Sequence, residues 1–435
     1  MVKSHLVTSH NLAWIKKALG SHEKSHRIHG ATASSLAYIL SRCADDLPQA
    51  SALLCATQEE AQEVFFNLRT FLERTKNEHL DPVYLPGWET SPYSSVTPAI
   101  KTRLGRIAAL SQIITTKKKM VIICDPMAAL QATLSPDLFR KNSISLSINQ
   151  DLESKEALIQ KLNSMGYLHA DPVEDEGTYA SRGELIDIFP PGYPAPIRIE
   201  LFDTIIEKIR FYDPTTQRTQ SSKNSFDTNS FIVPPAREVL INSETFHRSR
   251  EKIKTFCDEL GIQRAVRDPL LESLSLYSYP EHSDTWAPFV YETPATLFSY
   301  LGENTPIYWF DELGSLQNID QTLREAKKNF PETLESETIV PPPESLYQWD
   351  KTTHKSLQAQ TKIFFDRVAL SNADDLLSLE QDPKEKDGLT SLGIKENTDL
   401  IKSSEGVFSH FDLWLTHGYK IEIFSSTQTQ LDRIR

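Results

Sequence analysis

The stretch GTYASRGELIDIFPPGYPAPIRIELFDTIIEKIRFYD, residues 177–213, decides how the chain is read. Glu184 to Phe189, Ile197 to Phe202 and Ile206 to Tyr212 each alternate apolar and polar side chains with a period of two, the pattern of a strand with one buried face. In the middle run Ile197, Ile199 and Leu201 face one way, and Arg198, Glu200 and Phe202 the other. The connection Pro190-Pro191-Gly192-Tyr193-Pro194-Ala195-Pro196 is a turn, because prolines cannot donate to a central ladder. Glu153 to Met165 carries a helical pattern closed by Gly166. Together these segments predict a small antiparallel sheet packed on one helix, an α+β unit beginning at about Lys141.

Outward from this unit the patterning changes. Residues 1–140 alternate strand-like and helix-like segments: the apolar run Ala52 to Ala56, a helix opened by Thr57 and Glu60 with Ala61, Val64, Phe65, Leu68, Phe71 and Leu72 on one face, a helix from about Ala99 to Ile114, and the buried strand Met120 to Cys124. That order predicts a doubly wound α/β domain with a parallel sheet. Ser221 to Asn229 reads as a polar connection. Residues 233–340 mix helical signals, such as Phe246 to Leu260, with strand-like runs such as Pro306 to Phe310. Pro341-Pro342-Pro343 stiffens the chain and marks an expected boundary, with a last unit beginning near Thr361. Within it a charged stretch, Asp374 to Asp387, precedes a helix ending at Gly418, a strand from Lys420 to Phe424 and a helix starting after Ser425-Ser426. That last helix reaches Arg435 without a cap, so the chain is expected to be part of something longer. The fold class is multidomain α/β with an inserted α+β domain.

Bulk properties narrow the function. The 435 residues exceed what one hydrophobic core supports. No apolar run is long enough to span a membrane, and Met1-Val2-Lys3-Ser4-His5 is followed by no apolar signal core, so a cytoplasmic location is expected. Cys43, Cys55, Cys124 and Cys257 have neither zinc nor redox spacing and read as reduced, buried thiols. The net charge of −13 opposes the broad basic surface that tight DNA binding needs, so weak or no DNA binding is expected.

Three segments invite a chemical reading. Gly30-Ala31-Thr32-Ala33-Ser34-Ser35-Leu36-Ala37 stands where a phosphate-binding loop would, between an extended segment and a helix start. Its decisive positions hold Ser35 for glycine, Leu36 for the lysine and Ala37 for the Mg²⁺-ligating hydroxyl, so nucleotide affinity and phosphoryl transfer should both be lost. Asp125 ends an apolar strand as the Mg²⁺-holding aspartate of nucleotide hydrolases does, yet Pro126 after it favours a strand-ending turn. His22-Glu23-Lys24-Ser25-His26 matches HExxH, but a zinc site also needs a packed helix and a third ligand, and this polar stretch between Gly20 and Gly30 reads as a solvated turn. No catalytic residue, metal site or cofactor is assigned.

Leu85-Pro86-Gly87-Trp88-Glu89-Thr90-Ser91-Pro92-Tyr93, residues 177–190 and Ile197 to Asp213 together resemble the bacterial transcription-repair coupling factor family, Mfd. The resemblance implies a UvrB-like body, a degenerate helicase-like (RecA-like) fold from residues 1–140 (domain 1a) and 233–340 (domain 1b). It also implies an inserted UvrA-binding domain 2 at 141–232 and the start of domain 3 at 345–435. It further implies an adaptor of transcription-coupled nucleotide excision repair that recruits UvrA without ATPase activity of its own. In the full-length protein, RNA polymerase and double-stranded DNA would be partners of a motor further along the chain. The implied UvrA surface centres on Arg182, with Tyr179, Gly183, Phe189 and Arg198. Leu168 departs from the family, which commonly has arginine there. The alternative is a nucleotide-dependent DNA helicase or a UvrB-like damage-recognition protein. UvrB keeps an intact phosphate loop and a long aromatic-rich hairpin, whereas here only residues 85–94 precede the next helix.

Overall fold

A computed structural model describes residues 26–367, except 217, 219–229, 278 and 303, together with residues 15, 16, 19, 389–391 and 415–416. Nearly all of them belong to one compact unit, residues 8–392; of a second unit, residues 1–7 with 393–435, only the helical, exposed Leu415 and Thr416 are described.

Fourteen strands are described: β1 (His26–His29), β2 (Ala50–Cys55), β3 (Leu80–Tyr84), β4 (Lys119–Cys124), β5 (Ile144–Ser147), β6 (Leu168–His169), β7 (Thr178–Arg182), β8 (Leu185–Phe189), β9 (Ile197–Phe202), β10 (Ile205–Phe211), β11 (Ser230–Val233), β12 (Ile307–Phe310), β13 (Thr361–Asp366) and β14 (Leu389–Ser391). The principal helices are α1 (Ala33–Arg42), α2 (Gln58–Thr75), α3 (Ile100–Thr115), α4 (Pro126–Leu130), α5 (Lys155–Ser164), α6 (Phe246–Glu259), α7 (Arg264–Ser275) and α8 (Glu312–Glu335).

The larger sheet has the order β14-β1-β13-β12-β2-β4-β3, with every neighbouring pair parallel. Its central strands are apolar on both faces because helices cover both: Leu53, Leu54 and Cys55, Val121 to Cys124 and Ile307 to Phe310 are all buried. Thr57 caps α2 by accepting the Glu60 N–H, and the helix buries Ala61, Val64, Leu68 and Leu72. The Glu60 carboxylate turns instead to Arg367.

The smaller sheet, β10-β9-β8-β7-β6, is antiparallel except for the two-residue β6–β7 pair. Strands β8, β9 and β10 are the three period-2 runs. A bulge between Ile206 and Lys208 lets β10 keep Ile206 and Ile209 both turned inward. Strand β7 is additional to the sequence reading. Its TYASR carries little apolar alternation and is held in place by the two-residue turn to β8, where Gly183 takes φ of +52°. Leu158, Leu162 and Met165 on and after α5 pack on Tyr179, Ile186, Ile188, Ile197 and Ile199 as a second core. The chain enters this domain through β5 and leaves through β11, which pair with each other, Ile144 opposite Val233.

The described residues 345–367 belong with the larger sheet and do not stand apart from it: β13 inserts between β12 and β1, and Ile339, Val340, Leu346 and Tyr347 join the main core. The physical reason is that Ile363 and Phe365 are fully buried and need neighbours on both edges, which β1 and β12 supply. The expected features at Asp374 to Asp387, the helix ending at Gly418, Lys420 to Phe424, the helix after Ser425-Ser426 and the connection Ser221 to Asn229 lie outside the described residues.

Candidate functional site

Because α5 covers one face of the smaller sheet, the other face carries what the inward isoleucines leave outside and is partly open: Leu185 and Phe202 are exposed there, whereas Ala180, Asp187 and Tyr212 are buried. Register places Asp187 opposite both Ala180 and Arg198, Arg198 opposite Arg210, and Glu200 opposite Leu185 and Lys208. Cross-strand pairs of opposite charge follow: Lys208 Nζ lies 3.4 Å from Glu200 Oε2, and the Arg198 guanidinium meets Asp187 through Nε at 2.8 Å and Nη2 at 2.7 Å. Arg198 also stacks over the Tyr212 ring at 4.4 Å. The hydrogen bond to Asp187 raises the Arg198 pKa against the opposing effect of burial, while burial first, then the Asp187 charge, pushes the Tyr212 phenol up to about 12.

Arg182 ends β7 half exposed, opposite Leu185 across the turn, and forms a two-pronged ion pair with Asp171, with Nε 2.9 Å from Oδ2. Ala180, Arg182, Leu185, Asp187 and Arg198 line one cavity of about 180 Å³ on this face. The structure therefore brings Arg182 and Arg198 together. Gly183 sits beside them in the turn, with open space where a Cβ would be, and its carbonyl accepts from Lys155. Tyr179 lies elsewhere: it is 4% exposed in the core, its hydroxyl donates to Asn163 Oδ1 at 2.9 Å, and it supports β7 from beneath. Phe189 is half-buried at the far end of β8, opposite Thr178. Leu168 is 58% exposed on β6, and Phe202 72% exposed at the end of β9.

The second candidate, Gly30 to Ala37, is a strand–turn–helix, with Gly30 at φ +75° between β1 and α1. Thr32 caps α1 by accepting the Ser35 N–H, and Ser35 Oγ accepts from the Thr32 N–H at 2.8 Å, so the helix's own side chains occupy its first turn. Leu36 and Ala37 are fully buried. Asp125 is the N-cap of α4: Oδ1 accepts from Met127 N at 2.9 Å and Ala128 N at 3.1 Å. Next to β1 stands a carboxylate pair that the sequence reading passed over, Asp311-Glu312 after the buried run Ile307 to Phe310. Asp311 caps α8, and Glu312 accepts from Arg27 Nη2 at 2.7 Å. Arg27 also pairs with Asp366 at 2.9 Å and covers the Phe364 ring. Burial, opposed by Arg27, raises the Asp366 pKa. An acidic pair directly behind a four-residue apolar run was the available signal. Of the HExxH segment, His22 to Ser25 lie outside the described residues, and His26 opens β1. Among the described residues no three His, Cys, Asp or Glu side chains form a set that could hold a metal ion.

Comparison with known families decides what the open face belongs to: residues 144–238 match the family described as the UvrB interaction domain. This segment resembles a UvrB interaction domain. The chain is also similar to transcription-repair-coupling factors: at 28% identity over 330 residues to that of Myxococcus xanthus, covering 73% of this chain and 26% of the relative, and at 30% over 224 residues to that of Escherichia coli K12, covering 51% and 18%. The factor of Staphylococcus aureus USA300 is 30% identical over 261 residues, 58% of this chain and 20% of its own length. The chain spans about a quarter or less of the length of these curated relatives.

Within this matched segment, sequence reasoning missed Asp171 and Asp187. Asp187 was findable, since a carboxylate inside LIDIF must have a partner on the same face of a neighbouring strand. Asp171 lies in a loop eleven positions from Arg182, and no local pattern joins them.

Proposed function

We propose that this chain serves transcription-coupled nucleotide excision repair as an adaptor, recruiting UvrA through the open face of its UvrB interaction domain and using no nucleotide of its own. The observation carrying the reading is the pair of fork-geometry arginines, Arg182 and Arg198, lining one cavity on that face, each pre-oriented by a carboxylate. A guanidinium held in place loses little freedom when a partner carboxylate or carbonyl docks, which makes it a hot-spot anchor. Gly183 keeps the approach open beside Arg182, and the exposed Leu185 offers apolar contact. Tyr179 and Phe189 act from below and from the far end by holding β7 and β8.

The nucleotide half of the proposal draws on Leu36 and Ala37, whose side chains are spent on the core where a phosphate loop presents a cation and a metal-binding hydroxyl. In the longer relatives' setting, RNA polymerase and duplex DNA would be partners of regions beyond this similarity, and the cytoplasm the compartment.

Calorimetric titration with purified UvrA is the test. We expect a saturable complex, weakened by about 1–3 kcal/mol in Arg182→Ala, or roughly 5- to 150-fold in Kd. Unchanged affinity in a folded Arg182→Ala protein would remove this face from the proposal. Thermal melting with ATP and Mg²⁺ tests the other half, because a ligand that binds only the native state must raise its stability. No rise is expected, and a saturable one would overturn it.

A further inference from the structure

Away from the interaction domain, the carboxyl ends of β2, β3 and β4 surround a cavity of about 350 Å³, closed on one side by α8. Open parallel sheets bind ligands in crevices of this kind, outside the carboxyl ends of their strands. Thr57 and Gln58 reach it from the end of β2, Gly87 and Trp88 from the end of β3, and Asp125 from the end of β4.

Buried polar groups are nearly always hydrogen-bonded, so exceptions gathered around one space call for an explanation. Here four occur together: Asp125 Oδ2, Gln131 Nε2, Trp88 Nε1 and Thr90 Oγ1 are buried without a partner. Asp125 is 6% exposed and Gln131 2%, and both line the cavity. Gly87 keeps Asp125 accessible, since a Cβ there would lie 2.7 Å from Oδ2. Burial raises the Asp125 pKa, the response of a carboxylate whose second oxygen lacks a donor.

The lining selects a ligand class. The described residues around the cavity include four carboxylates, Glu59, Glu89, Asp125 and Glu325, and no Lys, Arg or His, so phosphates and carboxylates are repelled. Metal chelation is disfavoured, since no three of the described carboxylate, His or Cys groups converge. Trp88 and Tyr347 add aromatic surface of the kind that attracts cations. Trp88 Nε1 and Gln131 Nε2 are donors and need an acceptor on the ligand. We propose that this cavity binds a small organic cation, an amine or guanidine that also carries a carbonyl or hydroxyl oxygen. Its N–H groups donate to Asp125 Oδ2, with Glu325 supplying further negative charge at the rim, and its oxygen accepts from Trp88 and Gln131. The site is separate from the UvrA-binding face and stands whether or not that reading does.

L-argininamide, which joins a guanidinium to an uncharged carboxamide, is the probe, titrated into the whole chain by calorimetry and thermal melting at low ionic strength. We expect saturable binding with Kd below about 1 mM. Trp88→Phe, which removes the indole donor, should weaken it about tenfold, and the exposed Glu325→Gln, which threatens no packing, should weaken it several-fold. Arginine should bind more weakly than its amide because its carboxylate faces the acidic rim. Absence of saturable binding overturns the proposal, as does undiminished binding in both variants. Equal binding of inorganic phosphate, or full competition by millimolar MgCl₂, would overturn it too.

Discussion

Arg106 offers a demanding test of how the α/β body is joined to the end of the interaction domain. It projects from α3, is 1% exposed, and meets Glu238 through Nε at 2.6 Å and Nη2 at 3.2 Å, while Nη1 donates to the Pro86 carbonyl at 2.9 Å. Replacing it with methionine keeps most of the aliphatic stem but leaves Glu238, only 10% exposed, without its countercharge. Breaking a buried ion pair from one side costs about 3–5 kcal/mol, most of it the desolvation of the orphaned charge. The lost donor to Pro86 adds about 1 kcal/mol, though not additively. Arg106→Met should therefore destabilise the native state by about 3–5 kcal/mol. The double variant Arg106→Met with Glu238→Leu should recover more than half of that, because no charge is left buried. Urea unfolding followed by tryptophan fluorescence reads both. A single-variant loss below about 1 kcal/mol, or a double variant as unstable as the sum of the singles, would refute the reasoning.

Other expectations are quicker to check. Leu36→Lys places an ammonium in a fully buried position of α1 and should lower stability by several kcal/mol without creating ATP-dependent stabilisation, both read in one thermal melt. Asp125→Asn keeps the cap on α4 but removes a buried charge whose second oxygen lacks a partner, so it should be neutral or stabilising at pH 7. Since burial raises the folded pKa of Asp125 above its unfolded value, the wild type holds the extra proton in the native state and should gain stability relative to Asp125→Asn as pH falls from 7 toward 4. A gap between the two that does not change with pH would contradict that sign. All four cysteines are buried, and burial pushes the Cys43 thiol up to about 12, so Ellman's reagent at pH 8 should find no fast-reacting thiol before urea is added.

The legible parts of the fold were those whose signal is local. The period of two in Ile197 to Phe202 announces a strand, because a half-buried strand must alternate, whereas the bulge within Ile206 to Tyr212 was not legible. The apolar face of α2 is equally readable. Sheet order was not, since β1 and β13 pair across more than three hundred positions and nothing local to TKIFFD names its neighbours. The same limit governs the sites. Arg182 was visible as an arginine at a turn, yet that it shares a cavity with Arg198 depends on β8 lying between β7 and β9. The cavity at the strand ends escaped notice altogether, because Gln131, Trp88 and Asp125 acquire meaning only when the sheet brings them around one space.

The pairing of β5 with β11 has a practical corollary. Residues facing each other across an antiparallel ladder lie about 5 Å apart, so the two points at which the chain crosses into and out of the interaction domain are neighbours. The adjacent ends let such a module be joined by a short bridge or set into an exposed turn of another scaffold without stretching either partner, while its packing on the body, as at Gly192 against Ala108, would be lost.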